Sequence, residues 1–263
     1  MADAIEIHSA RSLTEGERAE LFNAAYADYV IPFHLDERSV AAMAEAFDLD
    51  ADASRVAVRD DERVGLGNLG LRGEDAWIGG VGVVPSERRS GIGEALMHAL
   101  HHEARARGVR RVWLEVIVEN TGAFALYKKL RYRTLRDVEV WSLPASEEGA
   151  SAAREVSAAE AQALIRELRS GREPWQRADQ TVENYGDARG LATDGGAALF
   201  RGESSVQVLQ LAGEAQPLLD ALRRRGAVSV VNLPEDDPAA AALRSLGAAV
   251  VVRQHEMLLD LPH

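Results

Sequence analysis

The residues best placed to do chemistry lie at positions 80–97, "GVGVVPSERRSGIGEALM". The valines read as a buried strand, Pro85 ends it, and "EALMHALHHEARARG" reads as a helix closed by Gly108. Between them, a turn through Arg88, Arg89, Ser90, Gly91, Ile92 and Gly93 can direct several backbone N–H groups to one side, and the helix adds its positive end. Glycines at 91 and 93 leave no Cβ in the way of an approaching oxygen, so the turn suits a pyrophosphate. A second pattern, "GLGNLG" with Gly65, Gly67 and Gly70, has the spacing of a dinucleotide site but runs into "LRGEDAW", a turn and another strand. With no helix start to receive phosphates, it reads as a glycine-rich strand of a hairpin.

The elements that must position the turn follow from periodicity. "AIEIHSA" alternates like an opening strand, and the helix "TEGERAELFNAAYADYV" carries a Thr cap with Glu three residues later. A helix at "DERSVAAMAEAFD" and strands at "SRVAVRD", "ERVGLGNLGLRG" and "AWIGGVGVV" precede the turn. After it come the central strand "RRVWLEVIVEN", the helix "TGAFALYKKLRY" and the strand "DVEVWSL". "PASEEGASAA" has linker composition, which predicts domains at 1–144 and 154–263 joined by residues 145–153. The second half runs helix, strands, helix, strand, helix, strand, ending "LDLP" where the first ends "WSLP", so element order predicts an internal duplication.

Composition narrows the partners. The chain has 263 residues, 46% of them hydrophobic, enough for two cores, and a formal net charge of −12 that argues against nucleic acid or an anionic membrane as the main partner. Amine-bearing molecules fit that field better. The absence of cysteine excludes disulfides, a thiol nucleophile and a cysteine metal site. The polar opening "MADAIEIHSARSLTEGER" predicts a cytoplasmic setting, and no run is long enough to span a bilayer.

Two motifs in this order, "VGVVPSERRSGIGEALM" and "NTGAFALYKKLRY", resemble the GNAT superfamily of N-acetyltransferases. The first matches that superfamily's acetyl-CoA signature of Arg or Gln, two residues, Gly, one residue, Gly or Ala. The resemblance covers residues 1 to about 144 well and the rest faintly. It implies an α/β (α+β) fold with a mixed, splayed central sheet flanked by helices, duplicated in a degenerate second copy. It further implies acetyl-CoA as co-substrate, with main-chain groups of Val81 and Val83 along the donor's arm, the turn from Arg88 to Glu94 on the pyrophosphate, and Asn120 and Phe124 beside the arm. Tyr127 falls where many members carry a tyrosine that protonates the departing thiolate; a tyrosine packed on the sheet fits the same pattern. The helix-loop-helix near the amino end shapes the acceptor site in the family, which makes Tyr26, Tyr29, Phe33 and His34 specificity candidates or, equally, core staples.

A base must take a proton from the ammonium acceptor. Glu115 alternates with Trp113 and Ile117 on one strand face and is the candidate, beside a structural glutamate or a water chain as alternatives. His98, His101 and His102 have helical spacing but are placed on the outer side with Glu94 and Arg105, opposite Leu96 and Leu100, so no metal site is expected. The sequence therefore predicts transfer of acetyl from acetyl-CoA to a primary amine, on a small molecule or peptide, by direct attack in a ternary complex. Its rival is a module that binds acetyl-CoA without turnover. A pseudo-dimeric monomer and a homodimer both fit the tandem plan.

Overall fold

The computed structural model describes residues 5–28, 34–148 and 152–262. It divides into two compact units, one comprising residues 1–134 and 257–263, the other residues 135–256. This corrects the expected boundary at 144–153. Trp141 and Leu143, upstream of the linker-like stretch, are buried in the second unit's core, while Met257 and Leu261, at the far end of the chain, are buried in the first unit's. Composition reports that a segment is exposed, not which core its flanking strands join.

The first unit contains β1 (Glu6–Ser9), α1 (Glu15–Ala25), α2 (Glu37–Ala46), β2 (Arg55–Arg59), β3 (Glu62–Arg72), β4 (Asp75–Val83), α3 (Ile92–Ala106), β5 (Arg111–Ile117) and α4 (Thr121–Lys129). Successive strands β1 to β4 pair antiparallel, and β4 runs parallel to β5, the arrangement a crossover helix such as α3 permits. Thr14 and Glu17 close a capping box on α1, as their spacing predicts. Leu21, Phe22 and Ala25 of α1 pack with Leu66 on one face of the sheet. Ile92 and Leu96 of α3 pack with Ala57 and Val64 on the other, and Met97, Leu100 and Ala104 continue into a cluster with Tyr127 of α4. Each fully buried aliphatic side chain contributes roughly 1.5–3 kcal/mol, so this stripe holds α3, and with it the turn at its start. The "GLGNLG" stretch lies inside β3, where a Cβ on Gly67 would come 2.7 Å from Leu100 Cδ1. Gly65 and Gly67 let α3 approach the sheet.

After β6 (Arg133–Leu143), which begins at the end of the first unit, come β7 (Arg154–Val156), α5 (Ala158–Leu168), α6 (Asp179–Tyr185), β8 (Arg189–Ala192), β9 (Gly196–Arg201), β10 (Ser205–Gly213), α7 (Ala215–Arg223), β11 (Ala227–Pro234), α8 (Pro238–Ser245) and β12 (Ala249–Asp260). The order β4-α3-β5-α4-β6 recurs as β10-α7-β11-α8-β12. In both runs the two strands flanking the first helix are parallel. Periodicity does not mark β7 and β8, of 3 and 4 residues, because neither "REV" nor "RGLA" alternates polar with apolar side chains as "EIHS" of β1 does. Among the described residues no helix is long and apolar enough to cross a membrane.

Candidate active site

Strands β4 and β5 are in register only from Asp75–Trp77 opposite Arg111–Trp113; beyond Trp77 they part. The Val84 N–H donates to the Val64 carbonyl at 2.9 Å, and Val83 lies opposite Gly65. Antiparallel pairing alternates, so the N–H and C=O groups of Val81 and Val83 point away from β3, toward the side β5 has left. The register of β3 and β4 shifts at Gly79–Gly80, a bulge that the paired glycines of "IGGVGVV" signal. Gly80 has φ +127°, and a Cβ there would sit 3.1 Å from the Tyr26 hydroxyl. Tyr26 thus lies against the bulge, stacked on Phe22 with ring centroids 4.4 Å apart.

At the end of β4 the chain makes a single turn at Pro85–Glu87 and enters the glycine turn. The Arg88 guanidinium is committed to the protein: Nε donates to the Val83 carbonyl at 3.0 Å, and the terminal nitrogens reach the Ala25 carbonyl and both Asp28 oxygens at 2.6–2.9 Å. These bonds tie the end of β4 to the end of α1, so Arg88 fixes the turn rather than reaching out as a free charge. The bond from Arg88 holds the Asp28 carboxyl below its usual range. Ser90 Oγ donates to the Glu87 carbonyl at 2.6 Å. Arg89 and Gly91 are left-handed, at φ +63° and +89°.

Gly91 caps α3 without a side-chain acceptor, so the first N–H groups of the helix are left for a ligand. A Cβ on Gly91 would meet no protein atom within 4 Å, and one on Gly93 only Leu126 and Val83 at 3.8–3.9 Å. Packing therefore does not explain the glycine at either position. Ile92 is buried as the anchor of the turn. Glu94 is paired with Lys129 at 2.7 Å, which lowers its pKa, so its side chain is engaged with α4.

Tyr127 is buried in the cluster that contains Ile78, Leu114 and Val116, with Val81 at its edge. Its ring lies 5.8 Å from that of Tyr132. Glu115 is half-buried and accepts a hydrogen bond from Trp77 Nε1 at 2.8 Å, a partner the alternation of β5 could not name. Asn120 caps α4 through Oδ1 to the Ala123 N–H at 3.1 Å, and Phe124 is half-buried against the same core. His34 is exposed ahead of α2, and Tyr29 and Phe33 lie outside the described residues.

The histidines require a correction. His98 and His102 face outward, but His101 is 4% exposed, with Nε2 2.8 Å from the Tyr132 hydroxyl. Burial first, then Arg105 and His98, lower its pKa from 6.5 to about 4, and burial raises that of Tyr132. The buried stripe of α3 is wide because it meets both the sheet and α4. No group of metal ligands occurs among the described residues.

The counterpart in the second unit is closed. Strands β10 and β11 again pair only over Ser205–Val208 and Ala227–Val230. At the following turn, however, a Cβ on Gly213 would fall 2.1 Å from the Gly195 carbonyl, which also accepts from the Glu214 N–H at 2.9 Å. Backbone fills the position that is open at Gly91. Pro217, third residue of α7, removes one more N–H from that helix start, and the core residue Leu243 stands in α8.

A parted parallel strand pair, a bulge and an open glycine turn into a helix therefore lie together in the first unit, the arrangement that the resemblance to N-acetyltransferases implies. Residues 18–132 match the sequence profile of the acetyltransferase (GNAT) family. The chain is 39% identical over 59 residues to the ribosomal protein bS18-alanine N-acetyltransferase of Escherichia coli K12, an alignment covering 22% of this chain and 40% of that protein. It thus spans less than half the length of the curated relatives it matches. The GCN5-related N-acetyltransferase from Sphaerobacter thermophilus superposes with a TM-score of 0.73 at 16% identity, covering 97% of this chain and 95% of that one. A tandem GNAT protein from the clavulanic acid biosynthesis pathway superposes with a TM-score of 0.64 at 15% identity, over 99% of this chain and 100% of that one. The fold is that of two GNAT-like domains in tandem.

Proposed function

We propose that the first unit transfers an acetyl group from acetyl-CoA to a primary amine, the acceptor attacking the thioester directly. The observation that carries this reading is the parting of β4 from β5 after Trp77 beside an uncapped α3 start whose Gly91 faces open space. The pantetheine arm would bond to the main chain of Val81 and to the Val83 N–H, since the Val83 carbonyl already accepts from Arg88. The Val83 N–H is then the donor for the thioester oxygen as negative charge develops on it. Tyr127 would protonate the departing thiolate. A free thiol has a pKa of about 8.5, so this leaving group needs only modest help, and a phenol suffices. Glu115, oriented by the Trp77 indole, would receive the ammonium proton directly or through water. Tyr26, packed against the bulge, would form part of the acceptor wall. The second unit, with its turn closed by backbone, would serve as a catalytically silent partner.

The test is release of free CoA by the full chain across a panel of amines. Similarity to the E. coli ribosomal protein bS18-alanine N-acetyltransferase makes a peptide with amino-terminal alanine the first arm, with polyamines, amino sugars and amino acids beside it. Acetyl-CoA binding without CoA release from any amine would select the alternative, a non-catalytic acetyl-CoA sensor.

A further inference from the structure

We infer that the first unit carries a second anion site, for a nucleoside polyphosphate, on the flank of α3 away from the glycine turn. A groove of about 500 Å³ lies between the middle and end of α3, the end of α4 and the last residues of the chain. Its walls include the permanent cations Arg105, Lys129, Arg131 and Arg133 against a single carboxylate, Asp260. In a chain of net charge −12 this is a marked local reversal of sign. Among the described residues Lys129 pairs with Glu94 and Arg133 reaches Asp260 at 3.4 Å, while Arg105 and Arg131 have no carboxylate partner. Leu130, Leu258 and Pro262 supply an apolar strip, and His101, neutral near pH 7, lies in the floor. A groove of that volume with apolar and cationic walls fits a base or sugar body bearing phosphates better than a bare ion.

The independent observation is the backbone of Arg131. Helices α3, α4 and α8 all end in the same closure, in which two successive N–H groups fold back onto helix carbonyls: Gly108 and Val109 onto Arg105 and Ala104, Arg131 and Tyr132 onto Lys128 and Tyr127, Gly247 and Ala248 onto Arg244 and Leu243. The closure requires a left-handed residue, and φ is +77° at Gly108, +70° at Arg131 and +81° at Gly247. Two of the three positions hold the glycine this conformation favours. The third holds an arginine that lines the groove. A strained residue at such a position, beside three further cations, points to a role for its side chain rather than for its backbone.

The experiment titrates ATP into the full chain by calorimetry, without divalent metal, at low ionic strength and with coenzyme A present in excess so that the glycine turn is not the receptor. ATP should bind at one site, and more weakly as salt rises. Arg131→Gly should lower ATP affinity tenfold or more while raising Tm by about 2–4 °C through relief of the left-handed arginine. Loss of binding in this variant therefore cannot come from unfolding. Arg105→Gln with Arg133→Gln should abolish ATP binding and leave coenzyme A affinity unchanged. The proposal is overturned if ATP does not bind, if Arg131→Gly binds it as tightly as the parent, or if an acidic peptide or RNA oligomer binds where ATP does not. ATP that binds only without coenzyme A would assign it to the glycine turn and also overturn the proposal.

Discussion

Two glycines at opposite ends of one helix provide a matched test of the donor site. Gly91 precedes α3 at φ +89° and Gly108 follows it at φ +77°, and a Cβ at either would meet no protein atom within 4 Å. An L-residue in this conformation costs about 1–2 kcal/mol, so Gly91→Ala and Gly108→Ala should each destabilise the protein by that amount and lower Tm by similar intervals of about 2–8 °C. Only at Gly91 does the added methyl enter the space proposed for phosphate oxygens. Displacing one charge-assisted N–H contact there removes about 1.5–3 kcal/mol of binding, which is about 10- to 150-fold in Kd. Thermal melts without ligand and calorimetric titration with acetyl-CoA give both quantities for both variants. Equal affinities in the two variants would refute the placement of the pyrophosphate, whatever their stabilities.

Tyr127→Phe should keep acetyl-CoA affinity and lower kcat by roughly a hundredfold, the low end for general-acid help, with a smaller loss for a donor whose thiol leaves more easily. Full turnover on a verified amine would remove Tyr127 from the mechanism. Acetyl-CoA should bind with a stoichiometry of one per chain, and a second molecule located in residues 154–263 would contradict the closed turn at Gly213. His101, held neutral with a pKa lowered from 6.5 to about 4, makes the unfolded chain the stronger proton binder between those values, so its contribution to stability is lost as pH falls through that window. A displacement of roughly 2.5 units at 1.36 kcal/mol each gives about 3 kcal/mol, and urea unfolding at pH 7, 5 and 4 should show the parent converging on His101→Phe by about that amount. Parallel pH dependences would show that His101 does not titrate on unfolding.

The sequence by itself determined the local features. The cap at Thr14, the hairpin assignment of "GLGNLG", the open turn at Gly91 and the repeated order of elements follow from periodicity, capping and left-handed glycine, interactions that span only a few residues. The resemblance carried by the two motifs then supplied the splayed sheet and the family. Tertiary structure alone decided what is joined across long stretches of chain. Asp28 holds Arg88 from 60 positions away, Trp77 orients Glu115 across neighbouring strands, and His101 turns inward because Tyr132 waits there. The unit boundary behaved in the same way, since Trp141 and Met257 join cores that local composition cannot name. A hydrogen bond between distant residues leaves no periodic trace, because either partner alone is compatible with a solvated surface and only the folded register brings the two within 3 Å.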